Sequence, residues 1–313
     1  MLDLFSIAFV AFGLMLFEII TSIDNAVINA DVLGKMSSKA RKWFLSWGLI
    51  IAVFLVRGLL PFAIIWAANP GLGPVDAFMA SFSSNPIVKE SMELSKPILL
   101  IGGGIFLIFL FFHWLFLEPK HYGLRGEKEI QKHGIWFYAV ISIMLSGIVW
   151  FAIKKDPLLA FGAVVGSTAF FITHGFKENA AEQEKKLMEG HPMTDLSKIL
   201  YLEVIDATFS VDGVIGAFAF TLSVPLIILG NGLGAVVVRE LTLRNIENVK
   251  KYKYLKNGAM YSVFFLGIVM VAESFGHGIN EFVSPLITIV TISYFFIKSK
   301  REIERGNSNP KMP

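Results

Sequence analysis

Two short segments in opposite halves of this chain place carboxylates inside apolar sequence with nearly the same spacing. The first begins at Glu18 and reads EIITSIDNAV, and the second begins at Asp206 and reads DATFSVDGVI. In each, a serine stands four residues after the first carboxylate and an aspartate stands six residues after it. An acid near the middle of a bilayer costs roughly 2.5–3.5 kcal/mol on insertion scales, so these acids predict a functional site.

Helical periodicity places most of the polar side chains on two faces. Residues three, four and seven positions apart lie on one side of a helix. This spacing groups Glu18, Thr21, Ser22, Asn25 and Asn29 on the first helix, and Glu203, Asp206 and Ser210 on the second. Asp24 and Asp212 lie about 120° from these faces. Either an unwound turn at residues 22–25 and 210–213 brings them into line, or straight helices hold them at a helix–helix contact.

The excess of acid predicts a positive ligand. Four carboxylates in the two segments, with Glu203 just before the second, oppose two central arginines, Arg57 and Arg239, so a cation or protons must balance the charge. The chain has no cysteine. Oxygen ligands alone suit Mg²⁺, Mn²⁺ or Ca²⁺ better than Cu⁺ or Zn²⁺. A proton pathway through the same acids, or buried ion pairs that only fix the packing, are the alternatives.

The composition predicts an all-α polytopic membrane protein. Hydrophobic residues make up 54% of the 313 residues and charged residues 17%, whereas soluble domains carry about 25% charged residues. We expect about nine transmembrane helices, near residues 4–30, 43–67, 97–117, 135–153, 157–174, 199–222, 225–247, 257–275 and 282–298. Residues 135–174 hold either one span or two. The net charge of +3 is small, and basic residues concentrate in loops, which argues against nucleic-acid binding.

Loop charges predict the orientation. Lysine and arginine are most frequent after the first, third, fifth, seventh and ninth segments, which puts the N-terminus outside and the C-terminus in the cytoplasm of a cell-membrane protein. The two motif helices then run antiparallel, as in an inverted three-helix repeat with a polar site near the midplane. The predicted parts are a first repeat at 1–117, connecting helices and cytoplasmic loops at 118–198, a second repeat at 199–275, and a final helix and tail at 276–313.

Two glycine pairs predict close helix packing. Gly162 and Gly166, and Gly230 and Gly234, have the small-xxx-small spacing that lets helix backbones approach one another. Asn231 could add a polar contact beside the second pair.

Histidines give weaker signals. His113 and His277 are each either a ligand, a proton relay or, more often for a lone histidine, a satisfied polar contact. Glu273 and His277 share a helix face that could form an entry or exit point. The segment from His174 to Glu178 is expected to be the cytoplasmic end of a helix.

Signatures of common enzymes are missing. The chain lacks His-Glu-x-x-His, Gly-x-Ser-x-Gly and the phosphate-binding Gly-x-x-x-x-Gly-Lys pattern. We therefore expect neither an enzyme nor a permanently bound cofactor.

The two motifs, each followed by an arginine in the next span, resemble the TerC family of integral membrane proteins. That family is named for tellurium resistance, belongs to a lysine-exporter-like superfamily, and is implicated in metal homeostasis, notably manganese efflux. The chain looks like a longer branch, since typical members have about seven spans. The resemblance implies an ion site formed by Asp24, Asn25 and Asp212 with Glu18 and Asp206. We expect Glu203 to assist as a further metal ligand, and the supporting residues to be Ser22, Asn29, Arg57, Ser210 and Arg239.

The predicted function is export of a divalent cation, with Mn²⁺ favoured, by alternating access. The expected partners are the lipid bilayer and the cation, with possible protein partners at the loops 118–134 and 175–198. Two alternatives remain open. One is export of another solute linked to tellurium resistance, and the other is a membrane scaffold whose buried acids are structural.

Overall fold

Helices form every regular element in the part of the chain that the computed structural model describes, which is residues 4–48, 51, 57–68, 73–75, 86–190, 194–244 and 246–308. In chain order these are α1 (Leu4–Thr21), α2 (Ile23–Leu33), α3 (Ser38–Trp43), a π-helical turn (Phe44–Gly48), α4 (Arg57–Ala68), α5 (Pro86–Phe116), α6 (Glu127–Lys132), α7 (Trp136–Lys155), α8 (Pro157–Gly190), α9 (Asp195–Ala217), α10 (Val224–Arg244), α11 (Ile246–Lys250), α12 (Leu255–Ser274) and α13 (Val283–Ser308).

Six helices of the described ranges are long and apolar enough to cross a membrane. They are α1, α7 and α12 together with residues 93–116 of α5, 157–178 of α8 and 224–242 of α10. The all-helical membrane class is thereby confirmed, while the count of nine spans and the inverted repeat stay predictions. The predicted segment at 43–67 falls partly outside the described residues. The segment at 199–222 corresponds to α9, whose acids lower its hydropathy.

Residues 135–174 form two helices. α7 ends at Lys155 and α8 begins at Pro157. Proline suits the first position of a helix because its missing N–H would have no partner there. The Asp156 carboxylate accepts a hydrogen bond from the Leu158 N–H at 2.9 Å, and this side-chain contact covers one of the free N–H groups at the start of α8. Each of the two helices is long enough to cross a bilayer by itself.

The hydrophobic core is built around α5. Its largest fully buried side chains include Phe106, Phe109 and Trp114, and Phe170 of α8 meets Phe109 edge-on with ring centroids 5.7 Å apart. On the other side, α12 approaches through Gly267, where a Cβ would lie 3.0 Å from the Gly104 carbonyl oxygen. Large aromatic side chains therefore fill one face of α5, while glycines permit backbone contact on another.

Both glycine pairs pack as predicted. A Cβ on Gly162 would lie 2.9 Å from the Ile98 carbonyl oxygen, which brings α8 against α5. A Cβ on Gly230 would lie 2.5 Å from Leu14 Cβ, which brings α10 against α1. The second contact matters for function because it continues along α1 to Glu18.

Of the two alternatives, the first motif has an interruption and the second has a straight helix. α1 ends at Thr21, Ser22 has φ −90° and ψ 1°, and α2 begins at Ile23. The interruption is confined to Ser22, because the Ser22 N–H still donates to the Glu18 carbonyl at 3.0 Å, and Ser22 Oγ donates to a Glu18 carboxylate oxygen at 2.7 Å. In α9, Ser210 donates to the carbonyl of Asp206 at 2.6 Å inside an uninterrupted helix.

Candidate functional site

The two motifs meet at a cavity of about 60 Å³. Four segments enclose it: the α1–α2 junction, the π-helical turn, α9 and α10. The structure brings these predicted residues into its lining: Glu18, Ser22, Asn25, Asn29, Glu203, Asp206 and Arg239. The remaining lining residues are Leu33, Phe44, Leu45, Gly48, Ala235, Val238 and Thr242. A few water-sized groups fit in this space, since one water needs about 10–15 Å³ measured in this way.

Missing side chains on three helical segments make room for the carboxylates. A Cβ on Gly234 of α10 would lie 2.6 Å from Glu18 Cβ, and a Cβ on Gly213 of α9 would lie 3.0 Å from Glu18 Oε2. A Cβ on Gly48 of the π-helical turn would lie 2.5 Å from Glu203 Oε1. Glycine at these positions therefore sets where the two glutamates can sit.

One hydrogen bond joins the two motifs directly. Asn25 Nδ2 of α2 donates to Asp206 Oδ1 of α9 at 2.5 Å. Both residues are buried, with exposed fractions of 4% and 9%, and Glu18 beside them is 1% exposed. A bond from an amide to a buried carboxylate fixes both side chains, and it turns the amide oxygen of Asn25 away from Asp206.

Three buried oxygens in the lining receive no hydrogen bond from the residues that the structure describes. They are Asn25 Oδ1, Asn29 Oδ1 and Glu203 Oε1. Buried polar atoms in folded proteins nearly always have a partner, and each exception calls for an explanation. Oxygen acceptors that converge on one small cavity are the ligand type that hard cations prefer.

The charge of the lining is predominantly negative. Three carboxylates, from Glu18, Glu203 and Asp206, share the described lining with one basic side chain, Arg239. The hydroxyl of Thr242 donates to the backbone carbonyl of Val238 at 2.8 Å. The cavity therefore favours a cationic occupant over an anionic one.

Asp212 lies elsewhere. Its carboxylate forms an ion pair with Lys177 of α8, and both side chains are largely buried, at 14% exposed for the lysine and 16% for the aspartate. Asp212 is not among the lining residues of the cavity. Lys177 contacts only Oδ2, and Asp212 Oδ1 is buried without a hydrogen-bond partner among the described residues. The assignment of Asp212 as a ligand stays a prediction. Ser210 supports Asp206 through the backbone, as described above, rather than through the cavity.

Two predicted site residues lie outside what the structure describes at the level of side chains. These are Asp24, whose backbone belongs to α2, and Arg57, whose backbone begins α4. Their assigned roles stay predictions.

Sequence reasoning missed the partners of the site. Gly48, Phe44 and Leu45 enter the cavity from a π-helical turn, and no charge or spacing in that segment distinguishes it from ordinary apolar sequence. Lys177 lies in a run of charged residues that reads as a helix end. Gly234 carried a signal for close packing, but nothing indicated that its neighbour is a glutamate.

An apolar cluster closes the predicted cytoplasmic side of the cavity. It comprises Val32, Leu33, Met36, Ala40, Ile199 and Leu202, with Phe44 and Leu45 packed against it. Two polar contacts connect the same ends of α2 and α9. The Ser37 N–H donates to Asp195 Oδ1 at 3.3 Å, and Lys198 Nζ donates to the Lys35 carbonyl at 2.7 Å.

A second, larger cavity lies at the opposite end of α9, with a volume of about 690 Å³. Glu273 and Lys96 line it and form an ion pair at 2.6 Å. His277, predicted to act with Glu273, is not among its lining residues.

Comparisons with known proteins agree with the membrane class. The family described as "Protein of unknown function (DUF475)" matches residues 23–305. The chain is also similar to "Uncharacterized membrane protein YceF" of Bacillus subtilis (strain 168), with 23% identity over 202 residues, which is 61% of this chain and 78% of that protein. No solved structure matches the chain. The chain is thus a helical membrane protein, and its resemblance to the TerC family stays a prediction.

Proposed function

We propose that this chain, which belongs to the DUF475 family of proteins of unknown function, transports a divalent metal cation, with Mn²⁺ as the preferred cargo. The observation that carries the proposal is the convergence on one cavity of three carboxylates and two buried amide oxygens, those of Asn25 and Asn29, which accept no hydrogen bond from the described residues.

The chemistry of the lining supports a hard cation. The atoms of the described lining that could bind a metal are carboxylate, amide and hydroxyl oxygens, without sulfur or imidazole. Mg²⁺, Mn²⁺ and Ca²⁺ take such ligands. In this proposal Glu18, Asn25, Glu203 and Asp206 bind the ion, together with Asp24. Mn²⁺ is preferred on the resemblance of the two motifs to a family implicated in manganese efflux.

The size of the cavity supports an ion rather than an organic solute. Pockets for drug-sized molecules measure roughly 300–1,000 Å³, whereas this one measures about 60 Å³. Tellurium oxyanions are small enough, but three carboxylates would repel them. Export of an amino-acid-like or oxyanionic solute is therefore the weaker candidate.

Alternating access supplies the transport cycle in this proposal. The chain would cross the cell membrane nine times with its N-terminus outside and its C-terminus in the cytoplasm, and two inverted repeats would rock about the ion. The hydrogen bond between Asn25 and Asp206 supports the repeat, because it joins the two motifs at the cavity. Arg239, with Arg57, would act as an internal positive charge that competes with the ion and helps to release it.

A structural role for the acids is the second candidate, and the ion pair between Lys177 and Asp212 favours it. A scaffold of this kind would hold its helices together by buried polar contacts. It would lose stability when either partner was removed, with or without metal.

Transport by purified protein in liposomes distinguishes the two. We expect the variants Glu203→Gln and Asp206→Asn each to lower Mn²⁺ flux at least about tenfold, because the charge count of a site tunes its affinity for the ion. The matched control is Glu129→Gln, which removes an acid that is 66% exposed on α6, and it should transport normally.

Thermal unfolding with and without Mn²⁺ completes the test. A ligand at one hundred times its Kd stabilises the folded state by about 2.7 kcal/mol, and a hundredfold loss of affinity reduces this to about 0.4 kcal/mol. The cavity variants should lose the stabilisation by metal while keeping the stability of the metal-free protein. Normal flux in both variants, or destabilisation that is independent of metal, would support the structural role instead.

A further inference from the structure

A second group of metal-binding side chains lies between α5 and α8, away from the cavity lining. His113 of α5 and His174 of α8 have ring centroids 3.7 Å apart. With Glu178, one turn further along α8, they offer three ligand atoms that all lie within 4.8 Å of one another. The three residues are buried, half-buried and exposed in that order, so the group has an inner end and a solvent-facing end.

Neither histidine satisfies its buried nitrogen by hydrogen bonding. His113 Nδ1 and His174 Nε2 are buried without a hydrogen-bond partner among the described residues. Each nitrogen instead faces a carboxylate oxygen. Glu118 Oε1 lies 3.4 Å from His113 Nδ1, and Glu178 Oε1 lies 3.3 Å from His174 Nε2.

One distance within the group has the length expected around a tetrahedral ion. Ligands bound at 2.0–2.1 Å around a tetrahedral centre are about 3.3–3.4 Å apart along each edge. The distance of 3.3 Å between His174 Nε2 and Glu178 Oε1 has this length, which is long for a hydrogen bond. The octahedral ions that prefer oxygen would place neighbouring ligands about 3 Å apart.

The surroundings hold the two rings in place. Phe170 stacks on the His174 ring with centroids 5.6 Å apart and an interplanar angle of 6°, and Phe137 meets the His113 ring edge-on at 5.5 Å. The other oxygen of Glu118 accepts a hydrogen bond from Lys256 at 2.9 Å. An apolar shell and a fixed carboxylate are the kind of support that orients metal ligands.

We propose that His113, His174 and Glu178 form a second metal site that binds a nitrogen-preferring transition ion of the Zn²⁺ type, with Glu118 beside His113 as a supporting carboxylate. This site differs in chemistry from the cavity, whose described ligands are oxygens, and the inference stands without the transport proposal. The ion would bridge α5 and α8 beside Lys177, which lies between His174 and Glu178 on α8 and forms an ion pair with Asp212 of the second motif. A metal here would therefore lock the contact through which α8 reaches α9.

Cobalt binding tests the site directly. Full-length protein in detergent, purified with a tag that contains no histidine, is titrated with Co²⁺, whose visible absorption is strong in tetrahedral coordination. We expect a single Co²⁺ per chain with such a spectrum, displaced by Zn²⁺. His174→Gln and Glu178→Gln should each weaken this binding by more than about tenfold. Glu178 is 72% exposed, so its variant tests the site even where a buried substitution prevents folding.

Two control variants separate Co²⁺ binding at this site from Co²⁺ binding elsewhere on the protein. His133→Gln removes a histidine whose ring contacts a backbone carbonyl on the surface, and it should bind Co²⁺ like the unmodified protein. The pair Glu203→Gln and Asp206→Asn disables the cavity and should leave the tetrahedral spectrum unchanged. An unchanged spectrum in the Glu178→Gln variant, or a spectrum lost in the cavity variant, would overturn the proposal.

Discussion

Replacing Gly234 by alanine should disable the cavity without removing any charged group. The added Cβ would lie 2.6 Å from Glu18 Cβ, 2.7 Å from Glu18 Cγ and 2.9 Å from the Met15 carbonyl oxygen. Carbon atoms in good contact are about 3.5–4.0 Å apart, so the overlap is about 1 Å. The Met15 carbonyl and the Glu18 Cβ are both fixed to the backbone of α1, so α1 must shift away from α10 and carry Glu18 with it.

The energetic cost follows from two opposing effects. Overpacking of a well-filled interior costs about 1–3 kcal/mol, and alanine is about 1 kcal/mol more favourable than glycine within a helix. We therefore expect the Gly234→Ala protein to lose about 0–2 kcal/mol of stability and to remain folded. Metal ligands must keep their distances within about 0.2 Å, so a shift near 1 Å takes Glu18 out of coordination. Mn²⁺ flux in liposomes should fall at least about tenfold.

Two other glycines provide graded comparisons. In the Gly213→Ala protein the added Cβ would lie 3.0 Å from Glu18 Oε2, which is the flexible end of the side chain. This substitution should therefore lower flux only moderately. At Gly147 of α7 nothing lies within 4 Å, so alanine should leave flux unchanged and raise stability by up to about 1 kcal/mol. Wild-type flux in the Gly234→Ala protein, measured with its stability, would refute the placement of Glu18 as a ligand.

Two further predictions concern the ends of the motif helices. The chain has no cysteine, so Ser37→Cys with Asp195→Cys introduces one thiol pair where the Ser37 N–H and the Asp195 carboxylate are 3.3 Å apart. Oxidation to the disulfide should stop flux, and reduction should restore it. Flux through the cross-linked protein would argue against opening at this end. Lys177→Gln should destabilise the protein by about 1.5–3 kcal/mol because it removes a charged hydrogen-bond partner from the largely buried Asp212, and Lys177→Gln with Asp212→Asn should recover most of that loss in thermal unfolding. No recovery would mean that the two side chains are not coupled.

Helical periodicity accounts for what the sequence predicted about the site. Glu18, Ser22, Asn25 and Asn29 share one face because their spacing fits the helical repeat, and all four line the cavity. The polar face had to meet protein or water, and the second motif was the polar partner available. The pairing of the two motifs thus followed from local sequence and from the cost of burying charge.

Contacts between unrelated segments could not be predicted in the same way. The position of Lys177 opposite Asp212 depends on how α8 packs against α9, and no periodicity encodes that arrangement. His113 and His174 meet for the same reason. The sequence indicated His113 as a lone histidine and His174 only as part of a helix end, and their proximity is a property of the packing of α5 against α8. The break at Ser22 and the unbroken α9 contain similar residues, and they differ in whether the serine hydroxyl reaches a side chain or a backbone carbonyl.

The length of α1 bears on how membrane voltage would act on the cargo. Its 18 residues rise about 27 Å, nearly the hydrocarbon thickness of about 30 Å, and Glu18 stands within about 5 Å of its end. If α1 spans the bilayer alone, the cavity lies well inward of the midplane. An ion entering from the cytoplasm would then cross only the smaller part of the electric field. The energy of an elementary charge changes by about 2.3 kcal/mol per 100 mV when it crosses the full field. Most of this change would therefore fall on the step between the cavity and the outside.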